Sequence, residues 1–361
     1  MNGVIALLGS GETAPGMVRV HRQLLARYDH PVAINLDSSY GFQENVPQMT
    51  AKLVDYFATS LTTTLVPVSL ANYERATPLE RALVRGAVRE ADYVFAGPGS
   101  PSYALAQWRP LELVEDFAVA LERGATLCLA SAATLTLGRY SAPIYEVYKV
   151  GAEPHWLDGL DLLGRYGLAC AVIPHYDNAE GRDYDTSRCY LGERRLAILE
   201  TELPEDVAIL GVDEHSALIL DLENDEARVL GRGHAYWRRG ASVRVLDHGP
   251  TPLDALRDGA RHSLAPAPQA TRASDQSLEL AEAAHGGDLD ALAALVAAAR
   301  RAPAPTALVE AVLEARTVAR ASGHYELADR LRDGLVEAGI ELRDGPTGTT
   351  WMASSVTGPS T

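Results

Sequence analysis

The chain has 361 residues, 47% of them hydrophobic and 22% charged, and a formal net charge of −16. That is the composition of a folded protein with room for one large and one small domain. It excludes the broad phosphate affinity that surplus Lys and Arg would give, and no stretch approaches the roughly 18 apolar residues that cross a bilayer.

The opening "MNGVIALLGSG" has no basic flank and only a short apolar run, which predicts a first strand and no signal peptide. Five short runs then read as strands: 3–10, 31–39, 62–70, 92–100 and 125–131. They are β-branched or continuously apolar and are bounded by Gly, Pro or Ser. Helical patterns lie between them, near 17–28, 45–59, 76–90 and 102–122. This alternation predicts an α/β fold: a doubly wound, mostly parallel sheet covered on both faces. Loops at the C-terminal ends of such strands share one edge, where ligands of open α/β sheets bind.

A further strand is expected at 168–176, then a helix near 188–200, then a β-rich run over 206–249. Near residue 250 the texture turns rich in Pro, Ala and Ser, so 250–276 reads as a linker. Beyond it, 277–301 and 305–338 are Ala-, Leu-, Glu- and Arg-rich helices within a small C-terminal module over 277–352, and 353–361 reads as a disordered tail.

Cys128, Cys170 and Cys189 form no C-x-x-C pair, so neither a zinc ribbon nor a redox motif is supported. A reduced cytoplasm is the natural compartment.

Four features point to one chemistry. In "LCLASAATLTLG" Ser131 stands between an apolar run and a helical start. Such an elbow exposes a hydroxyl and aims the next helix's free N–H groups at the charge it creates. The usual G-x-S-x-G frame would need Gly at 129 and 133, where this chain has Leu129 and Ala133. An ordinary small turn residue is the plainer reading. In "VIPHYDN" His175 directly follows an apolar run, which predicts a strand end on the same edge as Ser131, within reach as a general base. A surface loop histidine is the alternative; His155, His215 and His234 suit the role less well. In "GVDEHSALIL" Glu214 could hold the imidazole's tautomer, with Asp213 as its competitor. The loop "FAGPGSPS" has Gly97 and Gly99 after a strand, where free N–H groups could serve as oxyanion donors. The loop "GSGE" at 9–12 is similar. Neither is a dinucleotide fingerprint or a Walker loop.

In this order these residues resemble the peptidase E/cyanophycinase group of serine hydrolases (peptidase S51), whose fold is like that of class I glutamine amidotransferases. The resemblance covers roughly residues 3–248. It implies Ser131 as nucleophile, His175 as base and Glu214 as orienting acid, with N–H groups near Gly99 and Ala132 for the oxyanion. The family also carries an arginine-bearing helix downstream of its histidine. "SRCYLGERRLAIL" is similar, which implies Arg188 and Arg195 as holders of a substrate aspartyl carboxylate, a task suited to a guanidinium fork. Salt bridges to Glu193 or Glu200 are the alternative. The activity implied is hydrolysis of a peptide or isopeptide bond beside an acidic residue, with no metal or organic cofactor, in a protein that could form a homodimer. The alternative is an inactive amidotransferase-like scaffold carrying an interaction module.

The segment "ARTVARASGHYELADRLRDGLVEAGIELRDGPTGTTW" (315–351) resembles the C-terminal module of bacterial cysteinyl-tRNA synthetases. It reads as an amphipathic helix over 324–338, ended by Gly339, then a strand pair around "DGPTGT". The synthetases' HIGH- and KMSKS-like signatures are absent from the sequence, so aminoacylation is not expected. tRNA is the partner that the resemblance implies. Residues 270–361 carry eight Arg against thirteen Asp and Glu, which favours a packing or protein-contact role.

Overall fold

The computed structural model describes residues 3–257, Leu313, Asp329, Arg332, Val336, 340–345 and 348–353. The strands are β1 (Val4–Leu8), β2 (Ala33–Leu36), β3 (Leu65–Val68), β4 (Tyr93–Ala96), β5 (Thr126–Ala130), β6 (Tyr140–Ser141), β7 (Leu157–Asp158), β8 (Cys170–Ile173), β9 (Ala208–Val212), β10 (Ser216–Asp221), β11 (Glu226–Gly231), β12 (Ala235–Arg239), β13 (Ser242–Leu246), β14 (Thr251–Pro252), β15 (Ile340–Gly345) and β16 (Gly348–Ala353). The α-helices are α1 (Val18–Leu25), α2 (Val46–Ser60), α3 (Pro78–Glu90), α4 (Pro101–Trp108), α5 (Leu113–Glu122), α6 (Ala132–Leu135), α7 (Gly192–Thr201) and α8 (Asp254–Arg257).

All five strands expected before residue 140 form, and they make the parallel half of an eight-stranded sheet ordered β14-β11-β10-β1-β5-β4-β2-β3. β1 and β5 lie at its centre with every residue buried, as continuous apolar runs require when both faces are covered. The other edge is antiparallel, through β10, β11 and β14.

Three expectations change. The helix predicted over 102–122 is two helices: Pro110 cannot continue the first, and Glu112 turns left-handed (φ 54°) before the second. β8 does not join the main sheet. It lies in a second, six-stranded sheet ordered β13-β12-β9-β8-β6-β7. His175 therefore ends a strand of the second sheet, and the two sheets come together at the site. Part of the stretch read as linker also belongs to the fold: Thr251–Pro252 pairs with β11, and Leu253 and Leu256 are buried.

The chain divides into two compact units, Met1–Tyr73 with Val88–Ala267, and Glu74–Ala87 with Pro268–Thr361. In the second, β15 and β16 pair antiparallel from Ile340↔Ala353 to Gly345↔Gly348, the strand pair expected around "DGPTGT". Leu313, Asp329, Arg332 and Val336 are helical. The remainder of the helices expected over 277–338, and the tail after 353, lie outside the described residues. Among the described residues no helix is long and apolar enough to cross a membrane.

Candidate active site

β5 delivers Ser131 into a strand-to-helix turn. Its backbone sits at φ 51°, ψ −119°, a strained conformation for a residue with a β-carbon. Leu129 is still in the strand, paired with Leu7 and Ala96, and Ala133 is wholly buried in α6. The turn thus forms without either glycine of the usual frame.

Ser131 Oγ lies 2.8 Å from His175 Nε2, and His175 Nδ1 lies 2.7 Å from Glu214 Oε1. An ionised carboxylate can only accept, so Nδ1 carries the ring proton and Nε2 is left to accept from the hydroxyl. The hydrogen bond from His175 holds the Glu214 carboxyl below its usual range, helped by Asn178 Nδ2, which donates to the same oxygen at 3.0 Å. Glu214 stands where the chain passes from β9 of one sheet to β10 of the other, and its N–H donates to Asp177 Oδ1 at 2.7 Å. Asp213, the competing acid, accepts instead from the His234 N–H and the Tyr236 hydroxyl.

The end of β1 locates both other members. The Ser131 N–H donates to Leu8 O (3.1 Å), and the His175 N–H donates to the next carbonyl, Gly9 O (3.3 Å). A β-carbon at Gly9 would stand 2.0 Å from Asp213 O, so only glycine fits there. Gly99 is constrained the same way, with Ser39 O 1.9 Å from where its β-carbon would be. Its neighbour Ser100 donates its N–H to that same carbonyl. β4 lies beside β5, so the loop that follows β4 opens at the same sheet edge as Ser131. Ala132, at the first position of α6, has an N–H with no acceptor inside its own helix.

Strain concentrates here. Ten described non-glycine residues have positive φ. Six of them are Ser131, His175, the turn Arg188–Cys189–Tyr190, and His215 beside Glu214. A left-handed residue costs roughly 1–2 kcal/mol, and three in a row are sustained by what they hold. The Cys189 N–H donates to His175 O, and the Arg188 N–H to Tyr176 O. Arg188 is therefore not on the helix expected near 188–200, which begins at Gly192. Its guanidinium lies over the Tyr176 ring (3.9 Å), donates to Tyr176 O and pairs with Glu193. The Glu193 pairing engages Nε, and the Tyr176 carbonyl engages Nη1. Arg195 is on α7, with one donor turned to Leu191 O.

Sequence reading missed Asp177, Asn178 and Tyr190. The first two are in the quoted "PHYDN". The third carried no signal, because a left-handed turn of non-glycine residues has no composition mark. Tyr190 lies with its ring 6.0 Å from that of His175 and its hydroxyl on Glu180 Oε2. Glu12, in the loop after β1, is also nearby: burial raises its pKa, and a backbone hydrogen bond opposes that rise. Its carbonyl accepts from buried His21, which burial lowers to about 4. All three cysteines are free and buried. Among the described residues no group of three or more His, Cys, Asp and Glu side chains is placed to hold a metal.

The fold of the α/β unit is that of a known peptidase. A solved peptidase from an acI-B1 Actinobacterium superposes with a TM-score of 0.56 over 70% of this chain and 97% of its own, at 20% sequence identity. Residues 302–351 match the family model described as the cysteinyl-tRNA ligase anticodon binding domain. The cysteine–tRNA ligase of Bifidobacterium longum (strain NCC 2705) is 31% identical over 178 residues, 46% of this chain and 31% of the ligase. That of Yersinia pestis bv. Antiqua (strain Angola) is 53% identical over 45 residues, 12% of this chain and 10% of the ligase. The chain thus spans less than a third of either ligase's length.

Proposed function

We propose that the α/β unit is a serine hydrolase of peptide or isopeptide bonds. The observation that carries this is the unbroken relay from Ser131 Oγ through His175 to Glu214, with both links under 3 Å, at a strained strand-to-helix turn. The hydroxyl attacks the scissile carbonyl carbon while His175 Nε2 takes its proton. The N–H groups of Gly99 and Ala132 receive the oxyanion. The tetrahedral intermediate collapses, the imidazolium gives its proton to the leaving amine, and an acyl-enzyme remains. Water, deprotonated by the same imidazole, then releases the acid and restores Ser131. Glu214 stays ionised throughout and supports the imidazolium.

An aspartyl residue beside the scissile bond, as the family resemblance implies, is part of this proposal. For the segment matching the anticodon binding domain, the excess of acidic residues favours protein contacts over tRNA. The deciding experiment is labelling by a fluorophosphonate of wild type and Ser131→Ala. Labelling of wild type alone is expected. Equal labelling removes the nucleophile role and leaves an inactive scaffold.

A further inference from the structure

We propose that Glu146 binds a primary ammonium group of the substrate; this rests on the hydrolase reading above. A run of contacts leads from the nucleophile towards Glu146. From Ser131 it passes to His175, then to the Tyr190 ring, then to the Tyr148 ring 5.1 Å further on. Tyr148 belongs to a single π-helical turn, Glu146–Val150. Such turns are rare and gather at functional sites. Glu146, at the start of the turn, accepts from Ser102 Oγ through Oε1, and Ser102 Oγ lies 3.0 Å from Ser100 Oγ. Ser100 follows Gly99 in the loop after β4, the strand beside that of Ser131.

Along this run one acceptor is unmet. Glu146 Oε2 is buried and has no hydrogen-bond partner among the described residues. A buried carboxylate oxygen without a donor is costly, and such exceptions call for a physical reason. The cation closest in sequence does not supply it: Lys149 Nζ lies over the Tyr148 ring at 4.8 Å. A substrate cation would.

The carboxylate selects among cations. A guanidinium binds a carboxylate best as a flat fork on both oxygens, and here Oε1 is already committed to Ser102. A primary ammonium presents three radial donors. One meets Oε2, and the hydroxyl oxygens of Ser100 and Ser102 are the neighbouring acceptors.

The test uses three diphenyl 1-aminoalkylphosphonates, which form a bond from serine Oγ to phosphorus and release phenol. One has its α-amine free, one is N-acetylated, and one is N-acetylated with a free amine on a lysine-length arm. The rate constant for modification of the full chain is measured for each. At least one free-ammonium probe should react on the order of tenfold faster than the neutral probe. Which one does so distinguishes a substrate N-terminus from a lysine side chain. The ratio should fall to near one in Glu146→Gln and lie between in Glu146→Asp. Equal rates for all three probes on wild type, or a ratio that survives in Glu146→Gln, overturn the assignment. Modification of wild type no faster than of Ser131→Ala overturns the hydrolase reading itself, and the ammonium site with it.

Discussion

The α/β unit and the C-terminal segment stand at opposite ends of what similarity can convey. The first shares 20% identity with the peptidase whose fold it has, yet it brings three side chains from positions 131, 175 and 214 into one relay. The second reaches 53% identity over 45 residues, and its described part is a strand pair and four helical residues. Reaction chemistry depends on a few atoms held at hydrogen-bond distance, and very different sequences can hold them. A binding module depends on a whole surface and its charge, and local identity can persist while that charge changes.

The sharpest way to break this contrast is Ser131→Ala. It should lower hydrolysis by more than about 10³-fold, because attack, proton transfer and collapse act as a unit. Glu214→Gln is expected to cost on the order of 10²–10⁴-fold in kcat, since an amide can stabilise the wrong tautomer of His175. Small losses in both would mean that the geometry is only inherited packing.

Acid comes next. Burial lowers His21 to about 4, so between pH 6.5 and 4 the unfolded chain takes up a proton that the folded chain refuses. Stability therefore falls as pH drops, by about 2 kcal/mol between pH 7 and pH 5. Glu214, held low, adds its own loss further down as pH falls through its folded pKa. Denaturant midpoints across this range check the sum; a flat profile would show His21 reachable by solvent. Asn178→Ala should cost about tenfold and move the acid limb of the rate profile upward, because Glu214 loses a donor to its ionised form. The smallest effect is expected from the tail. Full-length protein should retain tRNA at physiological salt no better than another acidic protein does, and tight, salt-steep retention would restore the nucleic-acid role.

What the sequence disclosed was what periodicity encodes. The five strands before residue 140, and the Ser131 turn, follow from local apolar patterning. The strand ending before His175 was also legible, but its sheet was not, because "LACAVIP" satisfies a central position in either sheet. The break at Pro110 was visible and overridden by the apolar pattern around it. The turn at Arg188–Tyr190 was not visible at all. Left-handed backbone at three non-glycine residues is imposed by the carbonyls of His175 and Tyr176, far from anything that composition records.

The two carbonyls at the end of β1 have a consequence of their own. Leu8 O and Gly9 O suspend the nucleophile and the base from successive rungs of one strand. Successive carbonyls of an extended strand point to opposite sides, so the two turns are fixed on the two flanks of one short piece of backbone. Deleting one residue within β1 would turn each carbonyl to the other flank and release both turns at once. The first strand acts as a gauge block: it contributes no atom to the reaction, yet it sets the tolerance to which the reacting atoms are held.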